Sequence, residues 1–216
     1  MNALPWVSIR FVRLVWPAVA TLLMACVAPR VRPMAGVPFS GPLPRTALPA
    51  GHARLVFRWV YDDPIFGARG EGVARLAPPD SVRLDFFVDG GVGSGGAILI
   101  ADSLRTAGDD GRRYLPPVPL LWAALGVLRV TGSDTVARMD GDTLRVEIGQ
   151  GIVFRASFGD TALVSLGRIE GGRLREQVRR DATSIVYRHF SGRRSLTLSA
   201  LRRFQDPPYA QDIWRP

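Results

Sequence analysis

The sequence predicts a mainly β protein: an incomplete antiparallel β-barrel of about eleven strands, with a short apolar helix that covers or plugs it. Two features of residues 51–216 predict this class. Apolar and polar residues alternate with period two in short runs, which is typical of strands with one buried face. Turn-forming residues separate the runs at hairpin spacing, as at Asp140-Gly141-Asp142 and Gly171-Gly172.

The predicted strands follow this alternation in chain order. In the first of them, Leu55, Phe57, Trp59 and Tyr61 alternate with a face that includes Arg58. The alternating runs are Ala53–Tyr61, Gly70–Leu76, Ser81–Val88, Ala97–Ala101, Arg112–Leu115, Thr135–Met139, Thr143–Ile148, Ile152–Phe158, Ala162–Ile169, Arg173–Arg180, Ser184–Phe190 and Ser195–Phe204.

The segment Tyr114–Val130 breaks the strand pattern and predicts the helix. After its prolines, residues Leu120–Leu128 are apolar on every side except at Gly126. Prolines suit the first turn of a helix, and a helix that is apolar all round must be enclosed by protein or face lipid. Two roles are compatible with this pattern. The helix completes the core as a plug, or it forms the lid or lining of an apolar cavity.

The first residues have the pattern of a secretory signal peptide, which we assign to residues 1–25. A short segment with Arg10 and Arg13 precedes an apolar run, Leu14–Ala25. That run is too short to span a bilayer, which requires roughly 20 apolar residues.

The residues around Cys26 indicate how this signal is processed. The sequence Leu23-Met24-Ala25-Cys26 resembles the bacterial lipobox, in which the cysteine becomes the acylated first residue of the mature protein. Valine at position 27, where aspartate would favour inner-membrane retention, is consistent with the outer membrane. The alternative is an ordinary signal or anchor helix in which Cys26 is simply buried.

Residues 26–50 are expected to form the lipidated N-terminus and a proline-rich tether. Six prolines between positions 29 and 49 prevent a regular helix or a central strand. Such a segment is extended and stiff, and it would let a domain reach away from the membrane. The domain itself is then expected to occupy residues 51–216.

Composition argues against several classes of partner. The chain has 216 residues, 28 positive and 19 negative side chains and a net charge of +9, and every positive side chain is arginine. The arginines are scattered and often stand beside acidic residues, as in Arg173–Asp181, whereas nucleic-acid-binding proteins concentrate them. We therefore expect no nucleic-acid partner. With one cysteine and only His52 and His189, neither an internal disulfide nor a zinc site is expected.

No catalytic or cofactor motif stands out, so we expect neither an enzyme nor a cofactor. Ser94 lacks the glycine two residues before it that a nucleophile elbow requires. Gly91–Gly96 matches G-x-G-x-x-G by count, but a strand-like segment follows it instead of a helix. A P-loop is excluded because the chain contains no lysine.

The lipobox, the predicted strands and the apolar helix together resemble the LolA/LolB class of bacterial lipoprotein carriers and receptors. The local likeness is Val82–Ala101, where a strand leads into a glycine-rich loop and a second strand returns. In the family this loop carries a protruding apolar residue that assists delivery into the membrane. The resemblance implies that Gly91, Val92 and Gly93 form a membrane-contact loop, although glycine stands here in place of the family's proline and valine in place of its leucine.

The resemblance also implies an apolar cavity that accepts acyl chains. The candidate lining residues are Phe57, Trp59, Leu84, Phe86, Leu121, Trp122 and Leu125, each of which could equally belong to a filled core. The implied partners are the membrane, through the N-terminal acyl chains, the acyl chains of lipoproteins or lipids, and a periplasmic carrier protein. The implied location is the outer membrane, facing the periplasm.

A second function remains open on the sequence alone. A structural or assembly lipoprotein of the envelope would use the surface of the half-barrel to bind another protein. Its interior would then be filled, with no lipid cavity.

Overall fold

The computed structural model describes residues 28–91 and 93–215, and in that part of the chain thirteen strands form one antiparallel sheet. Cys26 and Val92 lie outside the described residues. The strands are β1 (Val37–Pro38), β2 (His52–Asp62), β3 (Gly67–Ala77), β4 (Ser81–Val88), β5 (Ser94–Ile100), β6 (Ser103–Thr106), β7 (Thr135–Asp140), β8 (Thr143–Ile148), β9 (Ile152–Gly159), β10 (Ala162–Glu170), β11 (Arg173–Arg180), β12 (Ser184–His189) and β13 (Arg194–Asp206). One α-helix, α1 (Val118–Ala124), and two 3₁₀ helices, Asp109–Tyr114 and Gln211–Trp214, complete the described elements.

The sheet is an antiparallel meander whose last strand returns to pair with the first long strand, β2. Its order is β1-β7-β8-β9-β10-β11-β12-β13-β2-β3-β4-β5-β6, so β13 pairs with β2 while β1 and β6 stand at the two open edges. The predicted fold class is confirmed, because the structure is mainly β, the sheet is not closed and a short helix accompanies it. Inward-facing residues from strands on both sides of the β13–β2 pair form one core, which includes Phe57, Leu84, Val146, Phe158 and Leu166.

The strand count differs from the prediction at three places. The strands β1 and β6 are too short, at two and four residues, to show an alternation in the sequence. Residues Arg112–Leu115, predicted as a strand, belong instead to the end of the 3₁₀ helix Asp109–Tyr114 and the residue after it. The strand prediction there was wrong, because four residues are too few to distinguish the period of a strand from that of a short helical turn.

Helix α1 lies inside the half-barrel, as its uniform apolarity predicts. It begins at Val118 directly after Pro116 and Pro117, and it packs against β10, β11 and β12. It ends earlier than the predicted Leu128 because Gly126 adopts φ +88°, a left-handed conformation that terminates helices. The Nε1 of Trp122 donates a 2.8 Å hydrogen bond to the carbonyl oxygen of Ala101, which ties the helix to the β5–β6 turn.

Residues 28–50, here called the strap, are extended but lie against the domain. The strap first crosses the outer face of the sheet, where the guanidinium of Arg155 donates to the carbonyl oxygen of Arg32 at 2.9 Å and that of Arg138 donates to the carbonyl oxygen of Gly36 at 2.8 Å. It then adds β1 to the edge of β7. The proline-rich segment is therefore held along its length by the domain, which differs from a free spacer.

The second half of the strap enters the interior at the open side of the sheet. Leu48 is only 7% exposed and belongs to the core, and Phe39 and Leu43 pack against it. The backbone N–H of Leu128 donates a 2.7 Å hydrogen bond to the Oγ1 of Thr46. The strap thus fills part of the gap that an unclosed sheet would leave.

The C-terminal segment, which contains the 3₁₀ helix Gln211–Trp214, docks on the outer face of the sheet. The guanidinium of Arg83 donates to the carbonyl oxygens of Ile213 at 2.7 Å and Arg215 at 3.1 Å. The ring of Tyr209 contacts those of His52 and Trp214 edge-on, with centroids 5.2 and 6.2 Å away.

Candidate apolar binding site

One end of the sheet, here called the loop end, carries the turns β2–β3, β4–β5, β10–β11 and β12–β13. The register places them at the same end, because Asp62 pairs with both Gly67 and Ser195, and Gly70 pairs with Val88. The β10–β11 turn joins them, since Glu170 pairs with Arg173 across it and Glu176 of β11 pairs with His189 at the end of β12. At this end an apolar cavity of about 280 Å³, here called the outer cavity, opens between the concave face of β2–β5 and the 3₁₀ helix Asp109–Tyr114. Its volume is close to the lower limit for small-molecule sites.

The wall of the outer cavity is mainly aromatic and aliphatic. Its lining residues are Trp59, Tyr61, Phe66, Ala68, Phe86, Val88, Gly93, Ser94, Gly95, Gly96, Ala97, Thr106, Gly111, Tyr114, Leu115 and Leu196. The rings of Trp59 and Phe86 meet edge-on with centroids 5.8 Å apart, and those of Tyr61 and Tyr114 do so at 5.2 Å. Edge-to-face pairs of this kind fix ring positions, so the wall is preformed.

The polar atoms of these aromatic residues are already satisfied by the protein. The Nε1 of Trp59 donates to the carbonyl oxygen of Glu71 at 2.9 Å, and the hydroxyl of Tyr61 donates to Asp63 at 2.8 Å. Burial, followed by the hydrogen bond to Asp63, raises the pKa of Tyr61 to about 12, so its hydroxyl stays neutral at physiological pH. The wall therefore offers apolar surface to a ligand and few free hydrogen-bonding groups.

The glycine-rich stretch forms one side of the mouth. Gly93 and Gly95 line the outer cavity, and a side chain at Gly95 would meet no atom within 4 Å of its Cβ. Gly90, Gly91 and Gly93 adopt positive φ in the turn, while Ser94-Gly95-Gly96 already belong to β5. The stretch is thus a short turn followed by a strand whose missing side chains leave the mouth open.

A second, inner cavity of about 30 Å³ lies deeper, between the sheet and α1. It shares Phe86, Leu115 and Leu196 with the outer cavity, so the two are contiguous along one apolar path. The inner cavity is too small for more than a water-sized group. Of these two apolar cavities, the outer one has the room for a ligand.

The structure brings together all but one of the candidate cavity residues. Trp59 and Phe86 line the outer cavity, and the residues that line the inner one are Phe57, Leu84, Phe86, Leu121 and Leu125. Trp122 lines neither cavity, because it projects from the other side of α1 towards Ala101, and the guanidinium of Arg129 lies 5.6 Å from its ring centroid. Of the membrane-contact loop, Gly91 lies in the turn, Gly93 lies at the mouth, and Val92 is outside the described residues.

Several residues of the outer cavity were not singled out from the sequence. Tyr61 and Leu196 follow the same inward alternation as Trp59 and Leu198, so extending the strand pattern could have found them. Tyr114 and Leu115 lie in a segment predicted as a strand, and Phe66 lies in a turn. No local pattern in the sequence identifies these three as parts of one wall.

A polar cluster lies on the concave face of β10–β12, beside the apolar path. Glu176 is 4% exposed and accepts hydrogen bonds from Tyr187 at 2.7 Å and from the guanidinium of Arg168 at 3.2 Å. Burial and the hydrogen bond to Glu176 raise the pKa of Tyr187 above its usual range. Next to Glu176 in the register, His189 accepts a 2.8 Å hydrogen bond at Nδ1 from Gly192, and burial lowers its pKa. Tyr187 and Arg168 thus satisfy the carboxylate of Glu176, as expected for a buried polar network.

The described residues contain no cluster with the composition of a metal centre. Among residues 28–91 and 93–215, no group of three or more His, Cys, Asp or Glu side chains could hold a metal ion. Over the same residues, no helix combines the length and apolar character that crossing a bilayer requires.

Comparison with known proteins finds remote likenesses among solved structures. No model of a known protein family matches the chain, and no curated protein sequence matches it. A domain described as an outer membrane lipoprotein-sorting protein domain, from Vibrio parahaemolyticus, is 7% identical with a TM-score of 0.46, over 76% of this chain and 89% of that one. A DUF1329 family protein from Desulfovibrio piger is 7% identical with a TM-score of 0.48, over the same shares.

The structure of MucB in complex with MucA(peri) is 15% identical with a TM-score of 0.30, over 76% of this chain and 54% of that one. The chain thus spans about half the length of the chain it matches in that complex. These likenesses are too remote to place the chain in a family, and its own strand order identifies it as an incomplete antiparallel β-barrel with an enclosed helix.

Proposed function

We propose that the chain is an envelope lipoprotein, anchored through an acylated Cys26, that binds an acyl chain in the outer cavity. The observation that carries this proposal is the cavity itself: about 280 Å³ of preformed apolar space that opens at the loop end. We extend the proposal to a role in receiving or transferring lipoproteins or lipids at the outer membrane, with a periplasmic carrier protein as donor, as the resemblance of the sequence to the LolA/LolB class implies.

Burial of apolar surface supplies the affinity. Each methylene removed from water contributes about 0.8 kcal/mol, so an acyl segment of about eight methylenes gains roughly 6 kcal/mol before the costs of association. The satisfied polar atoms of Trp59 and Tyr61 leave nothing in the wall that requires a particular headgroup. We therefore expect selectivity for chain length and saturation, with little selectivity for the headgroup.

Lipid extraction and fatty-acid binding test the proposal. A protein that starts at Ala28 keeps the whole strap and core, and it should release a lipid into organic solvent that mass spectrometry identifies. After delipidation it should bind a fluorescent fatty acid, and lauric acid should displace the probe. A delipidated protein that binds no such probe would refute the cavity assignment.

Two neighbouring glycines offer a matched pair of variants for the same test. A side chain at Gly95 would project into open space beside Phe86, with which Gly95 pairs across β4–β5. Gly96 lines the outer cavity only with its backbone, and a side chain there would project to the other face, 3.6 Å from Asp85. Gly95→Leu should therefore abolish binding of the fluorescent fatty acid, whereas Gly96→Leu should retain it. Equal binding by both variants would place the ligand elsewhere.

The anchor is tested separately, because Cys26 lies outside the described residues. Metabolic labelling with a clickable fatty acid in a bacterial host should label the wild-type chain. Label that persists in Cys26→Ser would exclude this cysteine as the acylation site.

One observation favours the second candidate function, an assembly lipoprotein that binds another envelope protein. The inner cavity of about 30 Å³ shows that most of the interior is filled by side chains, α1 and the strap. If the delipidated protein binds no fatty acid and Gly95→Leu leaves its cellular role intact, this second function is the one supported.

A further inference from the structure

The start of the strap is fixed at the loop end. The backbone N–H of Val31 donates to the carbonyl oxygen of Gly172 at 3.0 Å, and that of Leu174 donates to the carbonyl oxygen of Pro29 at 2.9 Å. The guanidinium of Arg173 reaches the carbonyl oxygen of Ala28 at 3.3 Å, and Ala28 is only 4% exposed. These contacts hold residues 28–31 against the β10–β11 turn.

The covalent chain then limits how far the domain can move from its anchor. Ala28 is two residues from Cys26 in the sequence, and an extended chain spans at most about 3.6 Å per residue, so the two Cα atoms lie within about 7 Å. A flexible tether of about 24 residues would instead allow an average separation of roughly 25–30 Å. An acyl chain on Cys26 therefore brings the loop end itself to the lipid surface.

The same end presents the most exposed large apolar side chain among the described residues. Ile65, in the β2–β3 turn, is 97% exposed, and the adjacent Phe66 is 51% exposed. The turn is rigid, because the Oδ1 of Asp63 accepts hydrogen bonds from the backbone N–H groups of both Ile65 and Phe66 at 2.8 Å. A rigid turn that holds the whole isoleucine side chain and half of the phenylalanine in water does not serve the core with these surfaces, whereas a bilayer interface suits them.

The turn also connects this surface with the outer cavity. Phe66 lines the cavity, and its ring lies 6.3 Å from those of both Tyr61 and Tyr114. On the strap, Arg30 and Arg32 are exposed within six residues of Cys26, where cationic side chains interact favourably with anionic headgroups.

We propose that the loop end docks directly on the bilayer, with Ile65 and Phe66 in the lipid interface and the mouth of the outer cavity facing the lipid. This orientation rests on the acylation of Cys26 proposed above. A ligand acyl chain then passes between bilayer and cavity without crossing water. The fixed start of the strap, residues 28–31, then sets the orientation of the domain on the membrane, whereas a flexible spacer would leave that orientation free.

Site-directed fluorescence on the full-length, lipidated protein tests this orientation. Each of two variants, Ile65→Cys at the loop end and Asp142→Cys in the exposed β7–β8 turn at the opposite end, is labelled with an environment-sensitive fluorophore. The proteins are reconstituted into vesicles of phosphatidylethanolamine and phosphatidylglycerol that contain a nitroxide-labelled lipid. The probe at position 65 should shift to the blue and be quenched several-fold more than the probe at position 142. Equal quenching at the two positions would overturn the proposed orientation.

A second variant and a flotation control separate the possible failures. A flexible Gly/Ser insert of about 20 residues between Val27 and Ala28 should reduce quenching at position 65 while the protein still floats with the vesicles. If the insert leaves quenching at position 65 unchanged, Ile65 docks without a short connection between Cys26 and the strap, which contradicts the proposal. A wild-type chain that fails to float refutes the anchor, and with it the orientation. A chain that floats without quenching at position 65 refutes the orientation alone and leaves fatty-acid binding to its own test.

Discussion

The hydroxyl of Tyr187 donates a 2.7 Å hydrogen bond to Oε1 of Glu176, a carboxylate that is buried inside the half-barrel. The guanidinium of Arg168 supports the other oxygen, Oε2, at 3.2 Å. Three strands, β10, β11 and β12, each contribute one member of this group. The arrangement therefore links the strands against which α1 packs.

Removal of the positive member should be the most costly change to this group. Arg168→Met leaves the carboxylate of Glu176 buried with no cation, which typically costs about 3 kcal/mol of unfolding free energy. Tyr187→Phe removes only one hydrogen bond and should cost about 1 kcal/mol. Urea denaturation of the two variants measures both values. A larger loss in Tyr187→Phe would contradict the assigned role of Arg168.

Gly72 should not tolerate a side chain, although it lies in a regular strand. A Cβ there would stand 2.3 Å from Cε2 of Phe57 and 2.9 Å from the carbonyl oxygen of Asp85. Gly72→Ala should therefore destabilise the fold by about 1–3 kcal/mol. Gly67→Ala, in the same strand with no atom closer than 3.8 Å to its Cβ, is the control and should cost far less. Thermal denaturation compares the two.

The carboxylate of Asp181 should make stability depend on pH in acid. It accepts hydrogen bonds from the hydroxyl and backbone N–H of Ser184 and Thr183, which lower its pKa from 3.8 to about 2. Because the folded state binds its proton less readily than the unfolded state, this contribution is complete above pH 4 and is lost as the pH falls towards 2. Asp181→Asn should show a smaller fall in unfolding free energy across that window. Parallel pH profiles for the two proteins would contradict the assignment.

The strap should contribute to stability through its inner half. Leu48→Ala removes a side chain that is 7% exposed and should cost about 2–4 kcal/mol. Val37→Ala, at a position that is 67% exposed, is the matched control and should change the unfolding free energy by less than about 0.5 kcal/mol. Chemical denaturation measures both. If Leu48→Ala is as mild as the control, the strap is not part of the core.

The sequence predicts the long strands well, because each has one buried face. In β2 and β8, apolar residues recur at every second position, and the structure places that set in the core. The helix was also identifiable, since Leu120–Ala124 is apolar on every side and all of it is buried. The sequence did not predict the short elements: β1 and β6 were missed, and the end of the 3₁₀ helix Asp109–Tyr114 was predicted as a strand.

The docking of the strap could not be predicted, because its contacts are long-range. Ala28 meets Arg173, and Thr46 meets Leu128, so the partners are 145 and 82 residues apart. The prolines indicate correctly that the segment is extended, but they carry no information on what it touches. The sequence also could not predict that Trp122 points away from the cavities. Which side of α1 faces a cavity depends on the strands around the helix, and these are distant in the sequence.

The short strands at the two edges of the sheet have a further consequence. Within the described residues, β1 spans only two residues and includes Pro38, which has no backbone N–H, and β6 spans four. Long unpaired edges are the templates on which β proteins polymerise, and brief or proline-containing edges suppress this growth. Both described edges of the thirteen-stranded sheet are therefore poor templates for pairing with the sheet of a neighbouring molecule.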